Sequence, residues 1–152
     1  YSAYLIAQGD LVLGGSIMFV GAGMDMFDGA VARMAGRESV FGAFFDSVMD
    51  RLGEAMTLFG LLAYFVAEGD SNGIYLSFGA LTVSMMVSYL RARAEGLSIP
   101  GDKGILGRPE RVVVLGVTLI VGLPSWGLGI IVGFGLVTIL QRGIHVWKNA
   151  NR

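Results

Sequence analysis

Five apolar runs, parted by polar turns only a few residues long in most places, leave this chain few ways to fold. They occupy residues 11–35, 40–67, 73–90, 111–123 and 126–146. A helix needs roughly 20 residues to cross a hydrocarbon core about 30 Å thick, and most of the runs reach that length. The run at 111–123 is short and must tilt or borrow from its flanks. Pro124 and Ser125 divide the apolar stretch 112–140, which is too long for one span and suits a hairpin of two helices. No ten-residue segments alternate with period two, so a β-barrel is not expected.

Composition explains why lipid must be the solvent. The chain is 54% hydrophobic and 15% charged, against roughly 25% charged in soluble domains. A chain of 152 residues cannot bury so much apolar surface within itself. The expected architecture is therefore all-α, a polytopic transmembrane helix bundle forming a single domain over residues 1–152. The opening Tyr1 to Ala7 reads as the last turns of a further apolar helix, as if the first helix were truncated. There is no cysteine, so no disulfide framework, thiolate metal site or cysteine nucleophile can exist. A net charge of -1 gives no support to nucleic-acid binding.

The basic residues orient the bundle. If the helix ends alternate, all eleven Lys and Arg side chains fall on one face, while the opposite turns carry Asp10, Glu68 and Asp70. Cytoplasmic loops are the ones enriched in Lys and Arg, so that basic face is expected to be cytoplasmic. Glycine, at 24 residues, is about twice its usual share. Clusters at Gly14, Gly15, Gly21 and Gly23 and at Gly127, Gly129, Gly133 and Gly135 suit close helix packing.

Against this apolar background four carboxylates stand out. Asp25 and Asp28 lie near the cytoplasmic end of one predicted helix, and Asp46 and Asp50 near that of the next. At 100° per residue the first pair is about 60° apart and the second about 40°, so two antiparallel helices can aim all four into one cleft. Ionised groups at membrane depth are costly unless paired, hydrated or holding a cation. An oxygen-only donor set without His or Cys fits a hard cation, magnesium (Mg2+) or manganese (Mn2+), better than zinc. Pairing of single aspartates with Arg33, Arg37 or Arg51 is the competing structural explanation. Glu54 extends the Asp46, Asp50 stripe by one turn and has Arg51 as a ready partner. His145, Trp126, Trp147 and Tyr75 read as interfacial side chains.

The order Asp25-x-x-Asp28-Gly29-x-x-Ala32-Arg33, eight residues, then Gly42-x-x-x-Asp46-x-x-x-Asp50 resembles the signature of the CDP-alcohol phosphotransferase family. Ser88 to Glu95, Arg108-Pro109-Glu110-Arg111 and Gln141-Arg142 look like the corresponding stretches of its prokaryotic phosphatidylinositol phosphate synthase branch. The resemblance implies a six-helix fold and a homodimer in the cell membrane, with its active site at the cytoplasmic face. It also implies transfer of a phosphatidyl or archaetidyl group from CDP-diacylglycerol or CDP-archaeol to inositol phosphate, with release of CMP. Asp25, Asp28, Asp46 and Asp50 would hold the metal, Asp50 doubling as general base. Gly29, Ala32, Arg33, Ser39 and Gly42 would face the CDP-lipid, the small residues leaving room for the nucleotide. For Ser39, an N-cap of the second motif helix is an equal alternative.

Arginine forks bind phosphate bidentately, and the resemblance carries the acceptor phosphate onto Arg91, Arg111 and Arg142. At Arg91 the family often has lysine. Arg93 and Arg108 suit either phosphate binding or anchorage of helix ends. Glycerol 3-phosphate is the alternative acceptor under the same charge logic. A cation or proton transporter is the alternative from another class, since intramembrane carboxylates also mark ion pathways.

Overall fold

The structure, a computed structural model, describes the backbone of residues 1–34 and 39–150 and the side chains at 1–24 and 39–150. The described residues form six helices: α1 (Ser2–Ala7), α2 (Leu11–Met34), α3 (Val40–Glu68), α4 (Ser71–Glu95), α5 (Arg108–Ile120) and α6 (Pro124–Ala150).

Each boundary has a local chemical cause. Gly9 turns the chain between α1 and α2 with φ of 90°, and the Ser2 hydroxyl donates to the Gly14 carbonyl at 2.7 Å, tying α1 back onto α2. Ser39 is the N-cap of α3, its hydroxyl accepting from the Gly42 N–H at 2.9 Å. At the other end Gly69 takes the left-handed conformation that closes helices, and Asp70 at once caps α4 by accepting from Asn72 and Gly73. Pro109 sits in the first turn of α5, where a missing N–H costs nothing. Pro124 likewise opens α6, so the proline expected only to break a helix also starts one.

Packing follows the small residues. Helix α4 lies along α6 and α3, α5 lies against α2 and α6, and α1 wedges between α2 and α3. A Cβ on Gly14 would come within 2.6 Å of Ile6, and one on Gly15 within 2.6 Å of Leu119. Gly127 abuts Thr118 and Gly135 abuts Val83, whereas Gly21, Gly23, Gly129 and Gly133 face open space. Half of the eight clustered glycines are thus contact residues within the chain. The apolar centre gathers Ile6, Leu58, Leu61, Phe65, Ala80, Leu115, Leu119, Leu128 and Ile131 from five of the helices.

Outside that core the bundle is coated with exposed apolar side chains, among them Val20, Phe59, Phe78, Phe134 and Leu140. A coat of this kind is what a lipid solvent requires, and the chain is an integral membrane protein. Among the described residues α4 and α6 have the length and apolarity to cross a membrane, and α2 is apolar over Leu11–Met24. Helix α3 has the length, at 29 residues or about 44 Å, but its first half carries Asp46, Asp50, Arg51 and Glu54. Helix α5 has 13 residues, about 20 Å, and gains only Arg108, Pro109 and Glu110 over the expected run. The polar ends of α3 and α5 meet at one end of the bundle, where the site forms.

Candidate active site

Asp46, Asp50 and Glu54 recur every four residues and stripe one side of α3. Arg108 and Arg111, three apart, occupy neighbouring positions at the start of α5. The stripes meet in two rungs. Arg108 Nη1 donates to Asp50 Oδ2. Arg111 donates from Nε to Glu54 Oε1 at 2.6 Å and from Nη2 to Glu54 Oε2 at 2.8 Å, a bidentate fork. Side-chain exposure at this second rung is only 1% for Arg111 and 6% for Glu54. Removing either partner would strand a buried charge, at a cost of about 3–5 kcal/mol. The fork also corrects an expectation: Glu54 does not pair with Arg51, whose Nη1 donates instead to the carbonyl and hydroxyl of Ser47 one turn back.

Two cavities flank the rungs. A polar one of about 490 Å³ has Asp46, Asp50, Arg91, Arg108, Arg111 and Arg142 on its wall. A second, of about 410 Å³, shares Asp50, Glu54, Arg108 and Arg111 but is otherwise lined mostly by apolar groups such as Ile17, Met18, Met49 and Leu115. The rungs therefore lie where a charged compartment meets an apolar one. A substrate with a charged headgroup and apolar chains needs that juxtaposition.

The three acceptor-site arginines expected from sequence all reach the polar cavity, in different states. Arg91 is at its rim, half-exposed and paired with Glu95 at 2.9 Å. Arg111 is buried, and its Nη1 has no hydrogen-bond partner among the described residues. Arg142 is buried and partly committed to the backbone: Nε donates to the Lys103 carbonyl at 2.7 Å, and Nη1 donates to the Val87 carbonyl. Arg93 is exposed and does not line the cavity.

Sequence reasoning missed how the loop before α5 is held. Thr138 Oγ1 accepts from Leu106 N–H at 3.0 Å, and Gln141 Oε1 accepts from Ile105 N–H at 3.2 Å. With Arg142 these make a three-point latch from one face of α6. The signal was present as Thr138, Gln141 and Arg142 at helical spacing, but no local pattern names the loop they hold.

Of the expected metal ligands, Asp46 and Asp50 share the polar cavity. The side chains of Asp25, Asp28, Gly29, Ala32 and Arg33 lie outside the described residues, and so does Arg37. Among the described residues no group of three metal-ligating side chains occurs. The donors that are described are carboxylates alone, in a polar cavity, which fits a hard divalent cation. Ser39 is seen as the α3 cap, and a Cβ on Gly42 would press on its hydroxyl at 2.9 Å.

A charged pocket opening beside an apolar cleft at the end of a helical membrane bundle defines a membrane enzyme acting on an amphipathic, phosphate-bearing substrate. Residues 1–146 match the CDP-alcohol phosphatidyltransferase family, and the chain belongs to that family and is a CDP-alcohol phosphotransferase. It is 34% identical over 148 residues to archaetidylinositol phosphate synthase of Methanothermobacter thermautotrophicus, covering 93% of this chain and 73% of that protein. Its fold matches the crystal structure of phosphatidylinositol phosphate synthase from Mycobacterium tuberculosis with CDP-DAG bound. The TM-score is 0.88 at 30% identity, over 96% of this chain and 79% of the other. The same enzyme solved with manganese and citrate gives 0.86 at 29% identity, over 96% and 75%. Family membership removes the transporter alternative.

Proposed function

We propose that this chain transfers a phosphatidyl or archaetidyl group from a CDP-lipid to inositol phosphate, releasing CMP, at the cytoplasmic face of the cell membrane and as a homodimer. The observation that carries the acceptor assignment is the buried Arg111 guanidinium, whose Nη1 lacks an acceptor among the described residues and which shares a cavity with Asp50. A buried guanidinium with donor capacity to spare favours a phosphate over a neutral alcohol. Arg91 and Arg142 add charge to the same wall. A site built for a neutral acceptor such as serine has no use for three arginines.

Asp25, Asp28, Asp46 and Asp50 are the residues that would hold Mg2+ or Mn2+, which when bound neutralises the diphosphate and improves CMP as a leaving group. The protein's own part is to bring the acceptor hydroxyl into line with the lipid-side phosphorus. Asp50 takes its proton, the oxygen forms the new phosphate ester bond, and the bond to CMP breaks. Gly29, Ala32, Arg33, Ser39 and Gly42 would flank the nucleotide, and the apolar cavity beside Asp50 suits the first carbons of the lipid chains. The test is CMP release by the membrane-reconstituted chain from CDP-diacylglycerol or CDP-archaeol. Inositol phosphate, glycerol 3-phosphate, free inositol and serine are offered in turn, with divalent metal and with chelator. Metal-dependent release driven by inositol phosphate is expected. Release driven by free inositol or serine would overturn the arginine assignment.

A further inference from the structure

We propose that Glu54 is a positioning residue for the acceptor: it grips the Nε–Nη2 edge of Arg111 and thereby fixes the Nη1 end as the phosphate donor of the polar cavity. The inference deepens the reading of Arg111 as acceptor-binding and rests on it. Both oxygens of Glu54 are engaged, at 2.6 and 2.8 Å, by adjacent nitrogens of one planar group. That geometry fixes the plane and rotation of a guanidinium, which a single contact would leave free to swing. Ser88 Oγ, at 3.4 Å from Nη2, abuts the same edge. With one edge occupied, the donor that remains is Nη1, buried and without a partner among the described residues. Arg111 reaches the site from α5 while Glu54 comes from α3, so the acceptor-binding atom is aimed by a different helix from the one that carries it.

A structural brace between α3 and α5 would show the same ion pair, so the test must read acceptor handling separately from folding. In the full chain, Glu54→Gln keeps the shape and one acceptor but loses the bidentate grip. Its KM for inositol phosphate should rise about tenfold, with kcat and the CDP-lipid KM changed by no more than about twofold. In an Arg111→Ala background the same substitution should move the acceptor KM by less than about twofold, because the effect passes through that guanidinium. Glu54→Asp, shorter but still charged, should raise the acceptor KM alone and serves if the Gln variant is not monodisperse. An unchanged acceptor KM in a folded variant, an equal fold-change in both backgrounds, or a loss confined to kcat or the CDP-lipid KM would overturn the proposal. Failure of the underlying reading shows elsewhere. The unaltered chain would then release CMP without saturable dependence on any phosphorylated acceptor, and both inferences would fall together.

Discussion

Arginine and lysine carry the same charge, yet at position 111 they are not equivalent. Arg111 satisfies both oxygens of Glu54 and still has Nη1 to offer. A lysine has a single ammonium centre and cannot fork onto a carboxylate while serving a second anion. Arg111→Lys is therefore expected to raise the acceptor KM by about tenfold or more while leaving the CDP-lipid KM near its starting value. Steady-state CMP release with each substrate varied in turn checks this. The residue scale is also where sequence reading met its limit. Asp46 and Asp50 stood out by their helical spacing, and Arg91, Arg111 and Arg142 by the family resemblance, and all five line one cavity. The partner of Glu54 was not legible, since Arg51 lies three residues away and Arg111 fifty-seven, and only the packing of α3 near α5 decides between them.

At the scale of elements, glycine distribution sets which helix faces can touch. Gly127 on α6 is occluded by Thr118 of α5, while Gly133, on the same helix, faces open space. Gly127→Val should force the α5–α6 hairpin apart and destabilise the fold by about 1–3 kcal/mol. Gly133→Val should leave it near the unaltered protein, and thermal unfolding of both variants in detergent separates the two cases. Equal loss in both would mean that these glycines act through helix propensity rather than contact. Helix existence and order were legible from the apolar runs. Helix α5 was the weakest of them in the sequence and is the shortest of the five longer helices in the structure, since Pro109 and the turn at Gly122 leave it only 13 residues. Its placement comes instead from the latch at Thr138, Gln141 and Arg142, which pairing over more than thirty residues hides from any local reading.

Across the whole molecule, the separation of charge is the feature with the widest consequence. The sequence places every lysine and arginine toward one expected face of the bundle, and the four aspartates proposed to hold metal toward the same face. Because the chain has no cysteine, single substitutions report topology without background. In sealed right-side-out vesicles an impermeant thiol reagent should label Ser71→Cys, at the exposed start of α4, and spare Ser98→Cys, in the loop before α5. The reverse pattern would place the active site on the outer face.

On the proposed mechanism the acceptor keeps its own phosphate while gaining the lipid, and Asp50 makes the transfer possible. Mass analysis of the lipid product from the reconstituted chain, supplied with CDP-lipid, inositol phosphate and divalent metal, tests it most directly. The mechanism predicts one lipid-linked inositol phosphate per CMP released. It also predicts a fall of about 100- to 10,000-fold in Asp50→Asn, the range expected when a general base is lost. CMP release without a lipid bearing inositol phosphate, or undiminished product from Asp50→Asn, would contradict it.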